Sequence, residues 1–252
     1  MTDQDLFDES HCEHCVCGAG LDFDFTFAFQ PIADAETGGV LAYEALVRGL
    51  NGEGAGQILS RVSRKNMYRF DQACRVKSVK LASELGMESL LCINFMPNAV
   101  YRAETCIQTT LAAAKRYNFD TRKLVFEMTE VEQLASTEHL ESIIEAYKEM
   151  GFQTALDDFG AGYSRLNLLI ETPPQFLKLD MSLIRDIHLN KAKQALVDGF
   201  CLSMERMGIR VIAEGVETVD EYEWLRSRDI RYYQGFLLAR PGFESLPAPE
   251  FP

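Results

Sequence analysis

The sequence predicts an α/β fold, a TIM-type (β/α)8 barrel with an antiparallel first strand, and three observations support this. The chain has 252 residues, close to the roughly 250 of a single barrel. Strand-like runs alternate with helix-like runs along most of it. Seven of the eight strand-like runs end on polar residues, and in barrels of this type the active site lies at the carboxyl ends of the strands. These groups are Glu44, Asn94, Glu127, Asp157 with Asp158, Lys178, Glu214 and Gln234.

The predicted strands are short apolar runs bounded by turn residues. They cover residues 25–32, 40–47, 89–95, 123–129, 152–158, 175–180, 209–215 and 232–239. The segment DAETGG, which joins the first two strands, is too short for a helical crossover. We therefore expect these two strands to pair antiparallel, which leaves one reversed strand in the barrel.

Helical periodicity fills most of the gaps between the strands. The predicted helices cover residues 58–85, 105–117, 137–150, 191–207 and 220–228. We expect one catalytic barrel at residues 23–245, preceded by an N-terminal tail at 1–22 and followed by a short C-terminal tail at 246–252. No second catalytic domain is expected in a chain of this length.

Composition excludes several classes of function. The formal net charge is −13 and no basic stripe is present, which argues against binding of a nucleic-acid polymer. No apolar run approaches the roughly 18 residues of a membrane span. The acidic start MTDQDLFDESH does not resemble a signal peptide, so we expect a cytoplasmic protein. An acidic protein still binds a small phosphate ester when metal ions lie between its carboxylates and the ligand.

The chain has seven cysteines, and without a secretory signal reduced thiols are expected. Those in apolar periodic segments are expected in the core, namely Cys74, Cys92, Cys106 and Cys201. The other three, Cys12, Cys15 and Cys17, lie beside two histidines near the N-terminus. With one histidine they form a candidate site for a single Zn²⁺ or a reversible disulfide. The second ligand pair of a structural zinc site is missing downstream, which favours a reduced tail without metal.

Seven motifs occur in a fixed order: YEALVRG, INF, FEMTE, LDDFGAGYSRL, FLKLD, VIAEGVET and YYQGFLLARP. Together they resemble the EAL-domain phosphodiesterases, which hydrolyse the bacterial messenger cyclic di-GMP to linear pGpG, and the likeness runs from about residue 27 to residue 241. Any one motif is a weak signal, whereas seven in order are specific. The resemblance implies a metal-dependent phosphodiesterase that lowers the level of this second messenger.

The resemblance also implies two divalent cations. One set of matching ligands is Glu44, Asn94, Glu127 and Asp157, and the second is Asp157, Asp158 and Glu214. Oxygen ligands of this kind suit Mg²⁺ or Mn²⁺ and make a poor Zn²⁺ site. Ca²⁺ is expected to occupy the site and inhibit, because it prefers a larger and less regular oxygen shell. The implied catalytic set is Glu44, Asp157, Glu214 and Lys178, with the lysine orienting the attacking water.

Further roles follow from the resemblance alone. The implied substrate contacts are Gln30, Leu46, Arg48, Asn94 and Gln234. The groups implied to support the metal site or the loop after Asp158 are Glu130, Gly160, Asp180 and Glu217. Members of the family form homodimers next to this loop, so we expect a twofold dimer with residues 163–174 near the contact. A monomer in which Leu166, Leu168 and Leu169 face their own core is the alternative.

Other interpretations remain for these residues. A lone acidic residue at a strand end is more often solvated or a helix cap than a metal ligand. We favour a functional site here because polar residues recur at the ends of successive strands. FGAGYS lacks the lysine and spacing of a nucleotide-binding P-loop, so Gly160 and Gly162 are interpreted as pivots of a mobile loop.

The chain departs from the usual family pattern at Met96, Ala161 and Arg165, which leaves the rate of turnover open. A receptor or scaffold that binds cyclic di-GMP, or a protein partner, without hydrolysis is the competing function. It is disfavoured because such members typically lose metal ligands or the lysine, and all are present here. Nothing in the sequence names the regulatory partner or input signal.

Overall fold

The computed structural model describes residues 21–100, 102–129, 137–161 and 166–252. Nine strands and nine α-helices lie within these ranges. The strands are β1 (Thr26–Asp34), β2 (Gly39–Arg48), β3 (Leu90–Asn94), β4 (Leu124–Thr129), β5 (Gln153–Phe159), β6 (Phe176–Leu179), β7 (Arg210–Ala213), β8 (Tyr232–Tyr233) and β9 (Gly242–Phe243). The helices are α1 (Ala55–Leu59), α2 (Met67–Glu84), α3 (Ala103–Cys106), α4 (Gln108–Arg116), α5 (Thr137–Glu149), α6 (Leu166–Glu171), α7 (Met181–Ile184), α8 (Lys191–Met207) and α9 (Val219–Arg226).

The sheet closes into the predicted barrel. Strands β2 to β8 pair parallel in chain order, and β1 pairs antiparallel with both β2 and β8, which joins the two ends. The prediction of an antiparallel first strand is confirmed. The register sets Gln30 opposite Glu44 and Asn94 opposite Glu127. Polar residues of neighbouring strands therefore lie at the same level of the barrel.

Three predicted elements were wrong in extent. Residues 58–85 form two helices and not one, because the Asn66 side chain accepts a hydrogen bond from the Ser63 amide and donates to the Arg61 carbonyl, competing with helical bonding. The predicted helix 105–117 is divided between α3 and α4, with Ile107 between them. Only two residues of the predicted strand 232–239 are extended, since the amides of residues 238 and 239 bond back to the Gly235 carbonyl and form a turn.

One residue from each of the eight barrel strands fills the lower part of the barrel interior. Seven of them lie two positions before the polar residue at the strand end, and in β1, which runs the other way, the residue lies two positions after Gln30. Alternate residues of a strand face the same side, so this layer forms an apolar floor under the polar groups. The floor consists of Ile32, Ala42, Cys92, Val125, Ala155, Phe176, Ile212 and Tyr232.

A buried polar network joins two helices to the end of β3. The Arg75 guanidinium lies 2.7 Å from an Asp71 carboxylate oxygen and donates to the Tyr147 hydroxyl at 2.8 Å. The other Asp71 oxygen accepts a hydrogen bond from the Met96 amide at 3.0 Å. All three side chains are buried. Breaking such a pair by removing one partner costs about 3–5 kcal/mol, so we expect this network to hold the backbone just beyond Asn94.

The predictions of buried cysteines and of a C-terminal tail can also be compared with the structure. Cys74, Cys92 and Cys106 are buried free thiols, whereas Cys201 is only partly buried. None of the helices in the described ranges is long and apolar enough to cross a membrane. Residues 246–252 touch the barrel, since the Pro247 carbonyl accepts a hydrogen bond from the Tyr43 hydroxyl at 2.9 Å. The proposed domain boundaries stay a prediction.

Candidate active site

The Lys178 ammonium is the centre of the site. Lys178 lies on β6 and is fully buried. Its Nζ atom has a carboxylate oxygen within 3.3 Å on each of four different strands or strand ends. The distances are 2.7 Å to Glu214, 3.1 Å to Asp157, 3.3 Å to Glu44 and 3.3 Å to Glu127. Strands β2, β4 and β5 and the residue after β7 therefore bring their acids together around one side chain.

Glu44 on β2 is the most hydrogen-bonded carboxylate of the group. The Asn94 side-chain amide donates to one of its oxygens at 2.8 Å, and the Gln234 amide donates to the other at 2.7 Å. Gln234 also lies 3.5 Å from the Gln30 amide oxygen. Because both amides present their NH₂ groups to Glu44, the side-chain oxygens of Asn94 and Gln234 are available to accept from, or coordinate, a bound group.

Two carboxyl pKa values show how crowded the site is. Burial raises the pKa of Glu127 to about 8, although the Lys178 ammonium opposes the shift. Burial and the neighbouring charge of Asp157 raise the pKa of Asp158 to about 6. The charged forms of these acids are therefore unfavourable unless more positive charge is supplied.

Three further pKa shifts in the site occur at Glu214, Glu44 and Lys178. Burial and repulsion from Asp157 raise the pKa of Glu214 well above its usual value. Burial would also raise the pKa of Glu44, but the Lys178 charge and the amide hydrogen bonds outweigh it and lower that pKa. Burial would lower the pKa of Lys178, yet the four carboxylates, led by Asp157, raise it well above its ordinary value.

The residues fit two divalent cations. Glu44, Glu127 and Asp157 each offer one oxygen, and these oxygens lie within 4.8 Å of one another; so do those of Asp157, Asp158 and Glu214. These two groups contain five carboxylates, of which four lie within 3.3 Å of the Lys178 ammonium. Neither carboxylate oxygen of buried Glu127 has a hydrogen bond of ordinary geometry within the described residues, although the Lys178 ammonium lies 3.3 Å from one of them. A hard cation would stabilise a buried carboxylate that lacks hydrogen bonds and lies beside acids with raised pKa values.

The backbone after β5 is unusual at two positions. Asp158 has φ of +54°, a left-handed conformation that is uncommon for residues other than glycine. Gly160 has φ of +99°, and a β-carbon there would lie 2.5 Å from a side-chain carbon of Leu183. The turn therefore needs glycine at position 160 and turns Asp158 beside Asp157, whose carboxylate accepts the Asp158 amide hydrogen bond at 2.9 Å.

A cavity of about 510 Å³ lies over the acids. Its lining includes several predicted site residues, namely Gln30, Glu44, Leu46, Asp158, Asp180, Glu214, Glu217 and Gln234. The Arg48 guanidinium donates to the Val47 carbonyl and, within the described residues, has no carboxylate within 4.0 Å, so its charge is open to an anion. Glu217 pairs with Arg185 at 2.9 Å, and Asp180 caps α7 through the Ser182 amide. These two residues thus fix the loops around the cavity.

Some predicted residues lie outside the described ranges, namely Glu130, Gly162, Tyr163, Arg165 and the cysteines at 12, 15 and 17. Four lining residues were missed by the sequence reasoning, namely Met181, Gly215, Gly235 and Phe236. Met181 and Phe236 are about half exposed at the rim of the cavity. Both occur in apolar runs, so nothing in the sequence distinguished them from core residues.

Comparisons with known proteins agree with this geometry. A cyclic di-GMP-bound standalone EAL protein of Vibrio cholerae O395 is 49% identical, with a TM-score of 0.89 over 92% of this chain and 98% of that chain. The manganese and cyclic di-GMP complex of BlrP1 from Klebsiella pneumoniae is 33% identical, with a TM-score of 0.83 over 90% of this chain and 58% of that chain.

The curated relatives are longer proteins. The cyclic di-GMP phosphodiesterase PdeR of Escherichia coli strain K12 is 37% identical over 53% of this chain and 21% of its own length. The chain spans less than two thirds of the first three curated relatives, from 21% to 62%, and these include an antirepressor as well as phosphodiesterases. The family model described as the EAL domain matches residues 21–241. The chain therefore belongs to the EAL domain family.

Proposed function

We propose that the protein is a metal-dependent phosphodiesterase that hydrolyses cyclic di-GMP to linear pGpG. The observation that carries the proposal is the convergence of four carboxylates, from four different strands or strand ends, on the buried Lys178 ammonium. Similarity to cyclic di-GMP-bound EAL structures and to named phosphodiesterases supports this choice of substrate.

In this proposal Glu44, Asn94, Glu127 and Asp157 hold one divalent cation, and Asp157, Asp158 and Glu214 hold the other. An all-oxygen donor set suits Mg²⁺ or Mn²⁺. When bound, the two cations would stabilise the phosphoryl charge as Lewis acids and activate water for attack. Asp157 belongs to both sets of acids, so its replacement should weaken binding of both cations.

The protein groups have separate roles in the proposed reaction. Lys178 hydrogen-bonds and orients the attacking water and offsets the negative charge that develops on the phosphoryl oxygens. Arg48 binds a non-bridging phosphate oxygen, since its guanidinium has no carboxylate partner in the described part of the chain. Gln30, Leu46 and Gln234 line the cavity and position the sugar-phosphate ring.

The chemistry balances with water as the co-substrate. The water oxygen forms a new bond to phosphorus, and the bond from phosphorus to the 3′ oxygen of one ribose breaks. The leaving oxygen takes up a proton and becomes a 3′ hydroxyl, while the phosphate stays on the 5′ carbon of the other nucleoside. The ring opens at one phosphodiester, which gives pGpG.

Chromatography of the reaction mixture tests the proposal. Cyclic di-GMP incubated with the protein and Mn²⁺ or Mg²⁺ should give pGpG, and a chelator should stop the reaction. Ca²⁺ should bind and inhibit, because it tolerates a larger and less regular oxygen shell. A protein that binds cyclic di-GMP with any of these ions but yields no linear product would instead be a receptor or scaffold.

We also propose a homodimer that acts in the cytoplasm. On α6, Leu166 and Ile170 lie one turn apart and are exposed, Ile170 by 68%, while Leu168 and Leu169 face the core. An apolar pair on the outer face of a short helix near the turn after Asp158 suits a twofold contact. The N-terminal zinc or disulfide remains a separate, unfavoured prediction.

A further inference from the structure

Phe236 is an exposed aromatic residue at the mouth of the candidate active site. Its side chain is 47% exposed, although phenylalanine is among the residues most often buried. It lines the same cavity as Glu44, Glu214 and Gln234. Since Phe236 follows Gln234 by two residues, their Cα atoms lie within about 7 Å. The ring is therefore close to the place where the phosphodiester would bind.

The backbone on both sides of Phe236 is held in place. The Val216 amide donates to the Gln234 carbonyl, and the Leu237 amide donates to the Val216 carbonyl, both at 3.1 Å. A β-carbon on Gly235 would lie 2.0 Å from the Val216 carbonyl oxygen, which shows how closely the two chain segments approach. With its backbone fixed at this distance, the Phe236 ring stays at the rim of the cavity.

One face of the ring already has a partner. The Arg240 guanidinium carbon lies 4.3 Å from the centre of the Phe236 ring, a cation–π distance. The guanidinium withdraws electron density from the ring, and guanine is the most electron-rich of the common nucleobases. A guanine stacked on the opposite face would therefore complete a sandwich with favourable electrostatics, and Arg240 adds positive charge near an anionic dinucleotide.

We propose that Phe236, backed by Arg240, is the stacking platform for one guanine base of the substrate and sets the preference for purine dinucleotides. This rests on the proposed function, because it assumes that a cyclic dinucleotide occupies the cavity. Purines offer a larger π-surface than pyrimidines, so the platform favours cyclic di-GMP over cyclic di-UMP. It acts on binding and not on the reacting atoms.

The test compares four proteins: wild type, Phe236→Ala, Phe236→Tyr and Phe243→Ala. Phe243 is a matched control, because it is 44% exposed on β9 but does not line the cavity. Kd is measured for cyclic di-GMP and cyclic di-UMP in the presence of Ca²⁺, and kcat and KM for cyclic di-GMP with Mn²⁺. Thermal melting checks that each variant is folded.

We expect Phe236→Ala to raise Kd and KM for cyclic di-GMP about tenfold, in line with the loss of one base-stacking contact. kcat should change less than about twofold, and the preference for cyclic di-GMP over cyclic di-UMP should narrow. Phe236→Tyr should restore the wild-type values, and Phe243→Ala should not alter them.

The outcomes separate this inference from the proposed function. An active wild type whose Kd, KM and base preference are unchanged in Phe236→Ala overturns the platform alone. A wild type that binds cyclic di-GMP through Phe236 without hydrolysing it supports the platform and overturns the phosphodiesterase. A wild type that neither binds nor hydrolyses cyclic di-GMP overturns both.

Discussion

At the scale of single residues, the chemistry depends on charge balance around Lys178. Its ammonium is the one cationic group within 4.0 Å of Glu44, Glu127, Asp157 or Glu214 in the described residues. Buried charges of one sign are stable only when they are paired or coordinate a metal. Lys178 therefore contributes both to the stability of the metal-free barrel and to the proposed reaction.

Replacing Lys178 with methionine tests both contributions. Turnover of cyclic di-GMP should fall at least about 100-fold, because a preorganised charge at the phosphoryl group is lost. In chelator the variant should melt well below the wild type, since removing one partner of a buried charge cluster costs about 3–5 kcal/mol. Added Mn²⁺ should recover most of the melting temperature but not the activity. Lys115→Met, on the exposed part of α4, is the control, and near-wild-type turnover of Lys178→Met would refute the assigned role.

The pair between Asp34 and Arg231 gives a prediction about pH. Two hydrogen bonds of 2.6 and 2.7 Å from Arg231 lower the pKa of Asp34 from 3.8 to about 2. Because the folded pKa is lowered, the stabilisation is fully present above about pH 4 and is lost as pH falls towards 2. Arg231 is 39% exposed, so solvent screens the pair, and we expect Asp34→Asn to lower the free energy of unfolding by about 1 kcal/mol at pH 7.

Urea unfolding at pH 7 and pH 2 measures this effect. The difference between Asp34→Asn and the wild type should shrink as the pH approaches 2. Asp198→Asn removes an ion pair with Arg228 in which both side chains are more than 40% exposed, and it should change stability little at either pH. A wild-type advantage over Asp34→Asn that persists unchanged at pH 2 would contradict the assigned cause.

At the scale of elements, glycines allow the loops at the barrel mouth to pack closely. Gly215, directly after Glu214, has φ of +65°, and a β-carbon there would lie 2.4 Å from the Met181 β-carbon. The loop after β7 is thereby pressed against α7, which follows β6. The position of the Glu214 carboxylate beside Lys178 depends on this contact between two neighbouring loops.

Gly215→Ala should destabilise the protein more than Gly38→Ala. Gly38 also has a positive φ, +71°, but a β-carbon there meets nothing within 4 Å. Gly38→Ala should therefore lower the free energy of unfolding only by the strain of a left-handed backbone at alanine, about 1–2 kcal/mol. Gly215→Ala should add the cost of overpacking against Met181, about 1–3 kcal/mol. The free energy of unfolding in urea measures both. Equal costs would show that the contact with Met181 adjusts without strain.

The barrel and its strand order were predictable from the sequence because apolar runs and polar strand ends are local signals. The break in the predicted helix 58–85 was not predictable, since it depends on the Asn66 side chain bonding to Ser63 and Arg61. The turn that ends β8 depends on Gly235 meeting Val216, a contact between segments distant in sequence. The position of Phe236 at the cavity mouth, inside a run that resembled a strand, follows from that same turn.

At the scale of the whole molecule, the proposed dimer is the main open prediction. We expect sedimentation at micromolar concentration to give a dimer, and Ile170→Glu to give a monomer, because a charge would be buried in an apolar contact. Leu50→Glu, at an exposed residue two positions after the end of β2, is the control. A wild-type monomer with full activity would exclude both the dimer and any link between assembly and catalysis.

The measurement that tests the central claim most directly is the rate of pGpG formation by Asp157→Asn, followed together with the number of Mn²⁺ ions bound per chain. Asp157 belongs to both groups of carboxylates that the barrel brings together. The account predicts that the wild type binds two Mn²⁺ and forms pGpG, and that Asp157→Asn loses both while its melting curve still shows a folded barrel. Hydrolysis at the wild-type rate by a folded Asp157→Asn variant, or by the wild type in chelator, would contradict it.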